Sequence, residues 1–262
     1  MPNDTLIDTF ADRLRARPQP GLVTAWLTAP APLLVSHMAR EAFDAILFDI
    51  QHGMHDMQSS VLGIAAARAA GRPALARIPV GDYATAARLL DAGASGIIAP
   101  MVSTVEEARA LVTATRFPPV GQRSWGPSFV LSLSGETPDQ YLRTANSNTI
   151  VLAMIETAEA LANVDAILSV EGLDGVFLGP SDLSIALTNG ASLAPHGPEV
   201  DRALATMLER CRAHKKIAGA FGADGARAAV LLGMGYDLVA AGNDMLQLRL
   251  GARAELAAAR RT

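Results

Sequence analysis

Eight short apolar segments alternate with alanine-rich segments along the chain, and this alternation limits the possible folds more than any other feature. Several of these segments are apolar almost throughout, as expected of parallel strands that are buried on both faces. Strands that alternate with helices form βαβ units, and 262 residues is close to the ~250 typical of a (β/α)8 barrel. The sequence therefore predicts one α/β domain, a (β/α)8 TIM barrel over residues 1–262. The predicted strands are Leu22–Leu27, Ala45–Ile50, Ala74–Ile78, Gly96–Pro100, Thr149–Glu156, Gly175–Gly179, Ile217–Phe221 and Leu238–Gly242.

The connection between the fourth and fifth predicted strands is unusually long. It begins with a capping-box pattern, Ser103-Thr104-Val105-Glu106, which predicts a helix that ends at Arg116. The following residues, 117–149, are too many for a plain loop, and loops of that length in compact domains are usually functional. We expect this segment to start on the catalytic face of the barrel.

Composition and charge exclude several classes of protein. The net charge is −4 without a basic cluster, which argues against nucleic-acid binding. The only cysteine, Cys211, excludes an intrachain disulfide and a cysteine-rich metal site. No apolar run approaches the ~20 residues that cross a membrane, and Met1-Pro2-Asn3-Asp4 lacks the pattern of a signal peptide. We therefore expect a cytoplasmic protein.

Charged residues follow the apolar runs at several predicted strand ends. Asp49 and His52 come at the end of the second strand, Arg77 ends the third, Glu156 ends the fifth, and Asp182 follows the sixth. In barrel enzymes the catalytic groups lie at the carboxyl ends of the strands. The pattern predicts that these side chains form one metal-assisted active site.

Glu156 and Asp182 also have simpler interpretations, because Glu156 could favour a helix dipole and Ser181 or Asp182 could cap a short helix. As a pair they indicate more, since neighbouring parallel strands lie ~4.8 Å apart and carboxylates at their ends can share one cation. Two carboxylates without cysteine suit Mg²⁺ or Mn²⁺, with water and substrate completing the shell. The amides of Ser181 and Asp182 could in addition bind an incoming carboxylate.

Arg77 and His52 are open to two interpretations each. Arg77 could bridge two strands through a carboxylate, or it could stabilise a developing enolate or alkoxide. Asp49, three residues before His52, could contact the imidazole and fix its tautomer. His55 gives an H-x-x-H spacing, but a zinc site is disfavoured because no third nitrogen or sulfur ligand lies nearby.

Taken together, these residues resemble the metal-dependent (class II) pyruvate aldolases of the HpcH/HpaI family, which act on 4-hydroxy-2-oxoheptanedioate and 2-dehydro-3-deoxyglucarate. That family belongs to the citrate lyase/phosphoenolpyruvate-mutase barrel superfamily, and the similarity extends from about Leu22 to Gly242. The motifs that carry it are Phe48-Asp49-Ile50-Gln51-His52, Ala76-Arg77-Ile78-Pro79, Leu89-Leu90-Asp91-Ala92-Gly93, Ala99-Pro100-Met101-Val102, Arg116-Phe117-Pro118-Pro119-Val120-Gly121, Ile155-Glu156-Thr157 and Gly175-Val176-Phe177-Leu178-Gly179-Pro180-Ser181-Asp182-Leu183-Ser184.

The resemblance implies a role for each matching position. Glu156 and Asp182 would hold the divalent ion (Mg²⁺ or Mn²⁺, with Co²⁺ possible), His52 would be the catalytic base, and Arg77 would stabilise charge. The implied reaction is the reversible cleavage of 4-hydroxy-2-oxo acids to pyruvate, or hydroxypyruvate, and an aldehyde through a metal-bound enolate. On this view Arg123, Trp125 and Phe129 could set aldehyde selectivity, although the two aromatic residues could instead only anchor their loop.

The resemblance also implies an assembly. Asp91 would raise the basicity of the histidine of a neighbouring subunit, Asp49 would belong to the same network, and the pyruvate carboxylate would rest on the amides of Ser181 and Asp182. The family forms hexamers, as trimers of dimers that exchange their last helix. Residues 244–261 are the candidate for that helix.

Two positions depart from the family pattern. The family usually has D-x-E-H where this chain has Gln51 before His52, and it commonly has glutamine where this chain has Met154. The second difference lies in the oxo-acid pocket and therefore concerns the choice of substrate.

Three other interpretations are disfavoured by the sequence. A lysine Schiff base is disfavoured because the only lysines, Lys215 and Lys216, precede the seventh predicted strand, at the wrong end of the barrel. A lyase of β-hydroxyacyl-CoA thioesters, of the citramalyl- or malyl-CoA type, would need positive charge for the coenzyme tail, and no basic cluster supplies it. A non-catalytic barrel is disfavoured because every chemical position of the family is present.

Overall fold

The computed structural model describes residues 6–260, whose eight strands form one closed parallel barrel in chain order. The predicted fold is confirmed. Every observed strand end lies within one residue of its predicted position, because runs buried on both faces leave little ambiguity. The strands are β1 (Leu22–Leu27), β2 (Ala45–Asp49), β3 (Ala74–Arg77), β4 (Gly96–Ala99), β5 (Ile150–Ile155), β6 (Gly175–Leu178), β7 (Ile217–Gly222) and β8 (Leu238–Ala241).

Helices connect successive strands and cover the outside of the barrel. Two of the segments used in the sequence analysis, Met1–Asp4 and position 261, lie outside the described residues. The helices are α1 (Leu6–Arg15), α2 (Pro32–Met38), α3 (Met57–Ala69), α4 (Tyr83–Asp91), α5 (Val105–Thr115), α6 (Ser128–Ser134), α7 (Pro138–Asn148), α8 (Ala158–Ala162), α9 (Val164–Leu168), α10 (Pro180–Leu187), α11 (Pro198–Ala213), α12 (Gly225–Met234) and α13 (Asp244–Ala259).

The barrel is filled by side chains and closed at its amino end by α1. The interior cluster includes Leu47, Leu75 and Leu152 from the strands, and Phe10 and Leu14 of α1 pack against it. Both α1 side chains are almost fully buried, and each such burial contributes roughly 1.5–3 kcal/mol. Substrates can therefore approach the barrel interior only from the carboxyl end.

Ion pairs hold the amino end together. Asp174, directly before β6, accepts from the guanidinium groups of Arg15 and Arg116, and its Oδ2 also accepts the amide of Val151 at 2.7 Å. Lys216, before β7, donates to the carbonyl of Leu173 at 2.5 Å. This lysine therefore lies at the end opposite the predicted active site.

The segment 117–149 does not start on the catalytic face, and that prediction is wrong. Because α5 follows the carboxyl end of β4, it runs back along the barrel and ends near the amino ends of the strands. Arg116, directly after α5, donates there to the carbonyl of Thr149, which precedes β5. The helix itself begins one residue later than predicted: its capping box joins Thr104 and Glu107.

The last helix, α13, is exposed over nearly its whole length. Only its first residue, Asp244, is buried, whereas Met245, Leu248, Leu250 and Leu256 expose 46–62% of their surface. An apolar helix of this kind lacks a partner within the described part of the chain. Between residues 6 and 260, no helix combines the length and hydropathy needed to cross a membrane.

Candidate active site

A cavity of about 280 Å³ opens at the carboxyl ends of the strands. Its polar lining residues are Thr28, Asp49, His52, Arg77, Glu156, Ser181, Asp182 and Asn243. Its apolar lining residues include Trp26, Met154, Pro180 and Phe221. The structure thus brings together all of the predicted site residues except Asp91.

Arg77 is held by a buried carboxylate on the neighbouring strand. Its Nε and Nη2 donate to the two oxygens of Asp49 at 2.9 and 2.6 Å, and the two residues are in register between β3 and β2. The guanidinium also lies 4.8 Å from the ring centroid of Trp26, whose indole nitrogen donates to Asp49 at 3.2 Å. Arg77 therefore bridges two strands through Asp49, as the first interpretation has it, and it also lines the cavity.

Asp49 does not contact the imidazole of His52, contrary to the prediction. Its Oδ1 instead accepts the backbone amides of Gln51 and His52 at 3.1 and 3.2 Å. Burial raises the pKa of Asp49, but the hydrogen bonds and the charge of Arg77, with the amide and indole donors, outweigh it and lower the pKa overall. Asp49 is an ionised anchor that fixes the loop after β2 and the plane of Arg77.

Glu156 follows β5 and is almost fully buried. Its Oε2 accepts the amide of Met101 at 2.9 Å. Burial, with a contribution from the charge of Asp182, raises the pKa of Glu156 to about 7 despite that hydrogen bond. A buried carboxylate close to the charge of Asp182 favours the binding of a cation at this place.

Gly179 makes room for Glu156. A Cβ at this position would overlap Oε1 of Glu156 and would lie 2.8 Å from its Cγ. The backbone of Gly179 has an ordinary negative φ of −97°, so the close approach alone requires glycine here. The sequence analysis missed this role, although the glycine directly before Pro180 was a visible signal.

Asp182 lies in the first turn of α10 and lines the cavity. The helix is preceded by Gly179 and has no side-chain cap, so neither Ser181 nor Asp182 serves as the cap. Among the described residues no group of three or more His, Cys, Asp and Glu side chains forms a metal site. Because Asp49 is engaged by Arg77, Glu156 and Asp182 are the two carboxylates of the lining that could hold a cation. Two carboxylates fit a hard divalent ion that takes its remaining oxygens from substrate and water.

The two histidines of the H-x-x-H spacing lie in different environments. His52 is exposed and lines the cavity, whereas His55 is buried with its ring 5.4 Å from that of Phe48, edge to face. His55 is not part of the cavity lining. The zinc interpretation, already disfavoured, gains no support.

Asp91 lies at the end of α4, away from the cavity of its own chain. Its Oδ1 accepts from Nη2 of Arg123 at 2.6 Å, and Arg123 lies 4.6 Å from the ring centroid of Phe117. The role that the resemblance implies for Asp91, beside His52 of another subunit, is not tested by a single chain and stays a prediction.

No residue of the segment 117–149 lines the cavity within the described chain. Trp125 packs against Phe117 and Tyr141, with ring centroids 5.6 and 6.1 Å apart. This packing agrees with the alternative in which Trp125 anchors its own segment.

Comparison with known proteins identifies the family. The family model of HpcH/HpaI aldolase/citrate lyase matches residues 22–250, which is most of the chain. The chain belongs to this family. The predicted family and the predicted enzyme class, a carbon–carbon lyase of the aldolase type, are thereby confirmed.

Two aldolases resemble the chain over almost its full length. It is 40% identical to the hydroxypyruvate/pyruvate aldolase of Rhizorhabdus wittichii, covering 91% of this chain and 94% of that one. It is 38% identical to the 2-keto-3-deoxy-L-rhamnonate aldolase of Salmonella typhi, covering 93% and 90%. The crystal structure of an HpcH/HpaI aldolase from Desulfitobacterium hafniense superposes with a TM-score of 0.86 at 26% identity, covering 96% of both chains.

Proposed function

We propose that this protein is a divalent-metal-dependent pyruvate aldolase that reversibly cleaves 4-hydroxy-2-oxo acids to pyruvate, or hydroxypyruvate, and an aldehyde. The observation that carries the proposal is the single cavity lined by Glu156, Asp182, Arg77 and His52. The aldolase reaction agrees with the family and with the names of both relatives.

Glu156 and Asp182 would hold the cation, with Mg²⁺ or Mn²⁺ as the ions that two carboxylates suit best and Co²⁺ as a possible substitute. When bound, such an ion polarises the keto group of a 2-oxo acid and stabilises the negative charge that cleavage leaves behind. The amides of Ser181 and Asp182, in the first turn of α10, are donors for the substrate carboxylate.

Arg77 supplies a fixed positive charge beside the reacting centre. Its Nε and Nη2 are engaged by Asp49, while its Nη1 has no hydrogen-bond partner among the described residues. Nη1 is therefore available to donate to the developing enolate oxygen. Because Asp49 and Trp26 fix the guanidinium before the substrate arrives, little reorganisation is needed during the reaction.

His52 is the proposed base. Its ring lines the cavity, and its backbone is held by Asp49. In cleavage it takes the proton of the C4 hydroxyl, the C3–C4 bond breaks, and the aldehyde leaves. The electron pair of that bond stays on the 2-oxo acid as an enolate, which is then protonated at C3 to give pyruvate.

The test is pyruvate release from 4-hydroxy-2-oxo acids, coupled to lactate dehydrogenase. Activity should disappear after EDTA treatment and return with Mg²⁺ or Mn²⁺. Glu156→Gln and Asp182→Asn should each lower kcat/KM by more than about a hundredfold, whereas Glu159→Gln, an exposed carboxylate on α8, should not. Borohydride with pyruvate should not trap the enzyme, because both lysines lie at the amino end.

No activity with any metal, in protein shown to bind one, would contradict the proposal. Cleavage of a β-hydroxyacyl-CoA thioester under the same conditions would then indicate the citrate lyase side of the family. Absence of both activities would indicate a non-catalytic barrel.

The proposed assembly is a homohexamer, a trimer of dimers in which each barrel domain exchanges its last helix, 244–261. The exposed leucines of α13 support this, because they are not covered by the described residues 6–260 and a second surface would bury them. Asp91 would then act beside His52 of a neighbouring subunit. Multi-angle light scattering should give a hexamer, and Leu248→Glu should shift it to smaller species. The cytoplasmic location stays a prediction.

A further inference from the structure

The cavity has charged residues at its opening, the rim, and the apolar side chains of Met154, Trp26 and Phe221 at its bottom, the floor. The floor indicates which substrates fit the site. Met154 precedes Glu156 by two residues on β5, and side chains two apart on a strand face the same side. Ile150, Leu152 and Met154 all belong to the interior cluster. Met154 therefore lies one layer deeper in the barrel than the metal-binding carboxylate, on the same face.

Trp26 forms a second part of this floor. It is in register with Leu47, two residues before Asp49 on β2, so it too lies one layer below the charged groups. Its only polar atom, the indole nitrogen, is engaged by Asp49. Phe221 packs against Trp26 edge to face, with ring centroids 5.0 Å apart, and also lines the cavity.

The uncharged polar groups of the lining are partly engaged by α13. The hydroxyl of Thr28 donates to Asp244 at 2.6 Å, and Oδ1 of Asn243 accepts the amide of Leu246 at 2.9 Å. The Met154 thioether is only a weak hydrogen-bond acceptor. The surface formed by Met154, Trp26 and Phe221 therefore offers a small group no strong hydrogen-bond partner.

We propose that Met154, with Trp26 and Phe221, makes the donor site selective for 2-oxo acids whose C3 carries hydrogen or alkyl and disfavours a C3 hydroxyl. This donor selectivity rests on the proposed aldolase function. The amides of Ser181 and Asp182 would bind the donor carboxylate at the rim, and Arg77 with an ion held by Glu156 and Asp182 would bind the keto group. The remaining C3 substituent faces the floor, where a hydroxyl loses its hydrogen bonds to water and gains none.

The discriminating residue is Met154, because a glutamine of similar length there would offer an amide to a C3 hydroxyl. The relative from Rhizorhabdus wittichii is named for both hydroxypyruvate and pyruvate. That name covers both donors, so we attribute the choice between them in this chain to the floor of its own cavity.

The experiment compares pyruvate, 2-oxobutanoate and hydroxypyruvate as donors to glycolaldehyde, with Mg²⁺ present. The kcat/KM for pyruvate should exceed that for hydroxypyruvate by about tenfold or more, with 2-oxobutanoate nearer to pyruvate. Met154→Gln should shift the ratio by roughly tenfold toward hydroxypyruvate, and Met154→Leu should leave it unchanged. Calorimetric titration of each donor into the Mg²⁺-loaded protein should give the same order of affinities.

Hydroxypyruvate used or bound as well as pyruvate by the unaltered protein would overturn the inference while leaving the aldolase function intact. A ratio that is the same in the glutamine and leucine variants, both shown to be folded by circular dichroism, would also overturn it. Absence of product with all three donors would contradict the proposed function instead. In that case the order of donor affinities from calorimetry would still decide the selectivity of the site.

Discussion

Both ends of the barrel contain buried charged side chains, but the two ends differ in what neutralises those charges. At the amino end Asp174 is matched by Arg15 and Arg116. At the carboxyl end Glu156 and Asp182 share a cavity, and the pKa of Glu156 is raised to about 7. One end thus satisfies its charges within the chain, while the other leaves two carboxylates to be neutralised by something that binds. We expect the amino end to determine stability and the carboxyl end to determine activity.

Arg77→Lys should produce the largest effect on activity. Lysine cannot make the bidentate pair with Asp49 or stack on Trp26, so its charge would no longer be fixed beside the substrate. We expect kcat/KM for aldol cleavage to fall by about 10²–10³, the usual loss when one oxyanion donor is removed. An activity within tenfold of the parent would show that a mobile charge suffices.

Arg116→Lys is the matched change at the amino end. It breaks a buried pair with Asp174 and removes donors to Thr149 and Gly172. The free energy of unfolding should fall by about 3 kcal/mol, measured by urea denaturation, with kcat/KM of the folded protein unchanged. A clear loss of kcat in folded protein would argue against the separation of the two ends.

Gly179→Ala tests whether the space around Glu156 is required. The added methyl would displace the carboxylate, so the affinity for Mn²⁺, measured by calorimetry, should fall by about tenfold or more. Gly233→Ala is the control, because a Cβ there meets no atom within 4 Å. Equal metal affinity in both variants would show that Glu156 can move without consequence.

His55 should make the carboxyl end sensitive to acid. Its two ring nitrogens have no hydrogen-bond partner among the described residues, and burial lowers its pKa despite the nearby charges of Asp244, Asp49 and Asp56. Below pH ~6.5 the unfolded chain binds a proton that the folded protein does not, so stability falls as the pH decreases, by at most ~1.4 kcal/mol per pH unit. His55→Leu should reduce this slope.

The unfolding midpoints of the parent and of His55→Leu, measured from pH 8 to pH 5, would check this expectation. At pH 8 the titration of His55 should contribute nothing to the difference between the two proteins, because the imidazole is neutral in both the folded and the unfolded states. Parallel curves over the whole range would show that His55 does not titrate on unfolding.

The sequence predicted the barrel well because its strands are buried on both faces. A run such as Ala45–Leu47 can hardly be anything else between two helical segments. The cavity residues at strand ends were predicted for the same reason, since parallel strands deliver their carboxyl ends to one place. The segment 117–149 was not placed correctly, because α5 reverses the direction of the connection.

Other features of the site depend on contacts between particular atoms, and a local sequence pattern does not specify those contacts. Asp49 could reach the imidazole or the amide of His52 with the same spacing, and the structure shows the amide. Trp26 contributes to the site only because β1 and β2 are in register, and Gly179 only because Glu156 crosses from β5. Contacts between strands distant in sequence decide such details.

The attachment of α13 has a practical consequence for protein engineering. Asn243 lines the cavity, and Asp244 accepts from the amides of Thr28 and Ala29 and from the hydroxyl of Thr28. An affinity tag or fusion partner at the C terminus would therefore be attached to a helix whose N-cap residue, Asn243, lines the cavity. An extension placed before α1, which closes the far end of the barrel, should leave the turnover number unchanged.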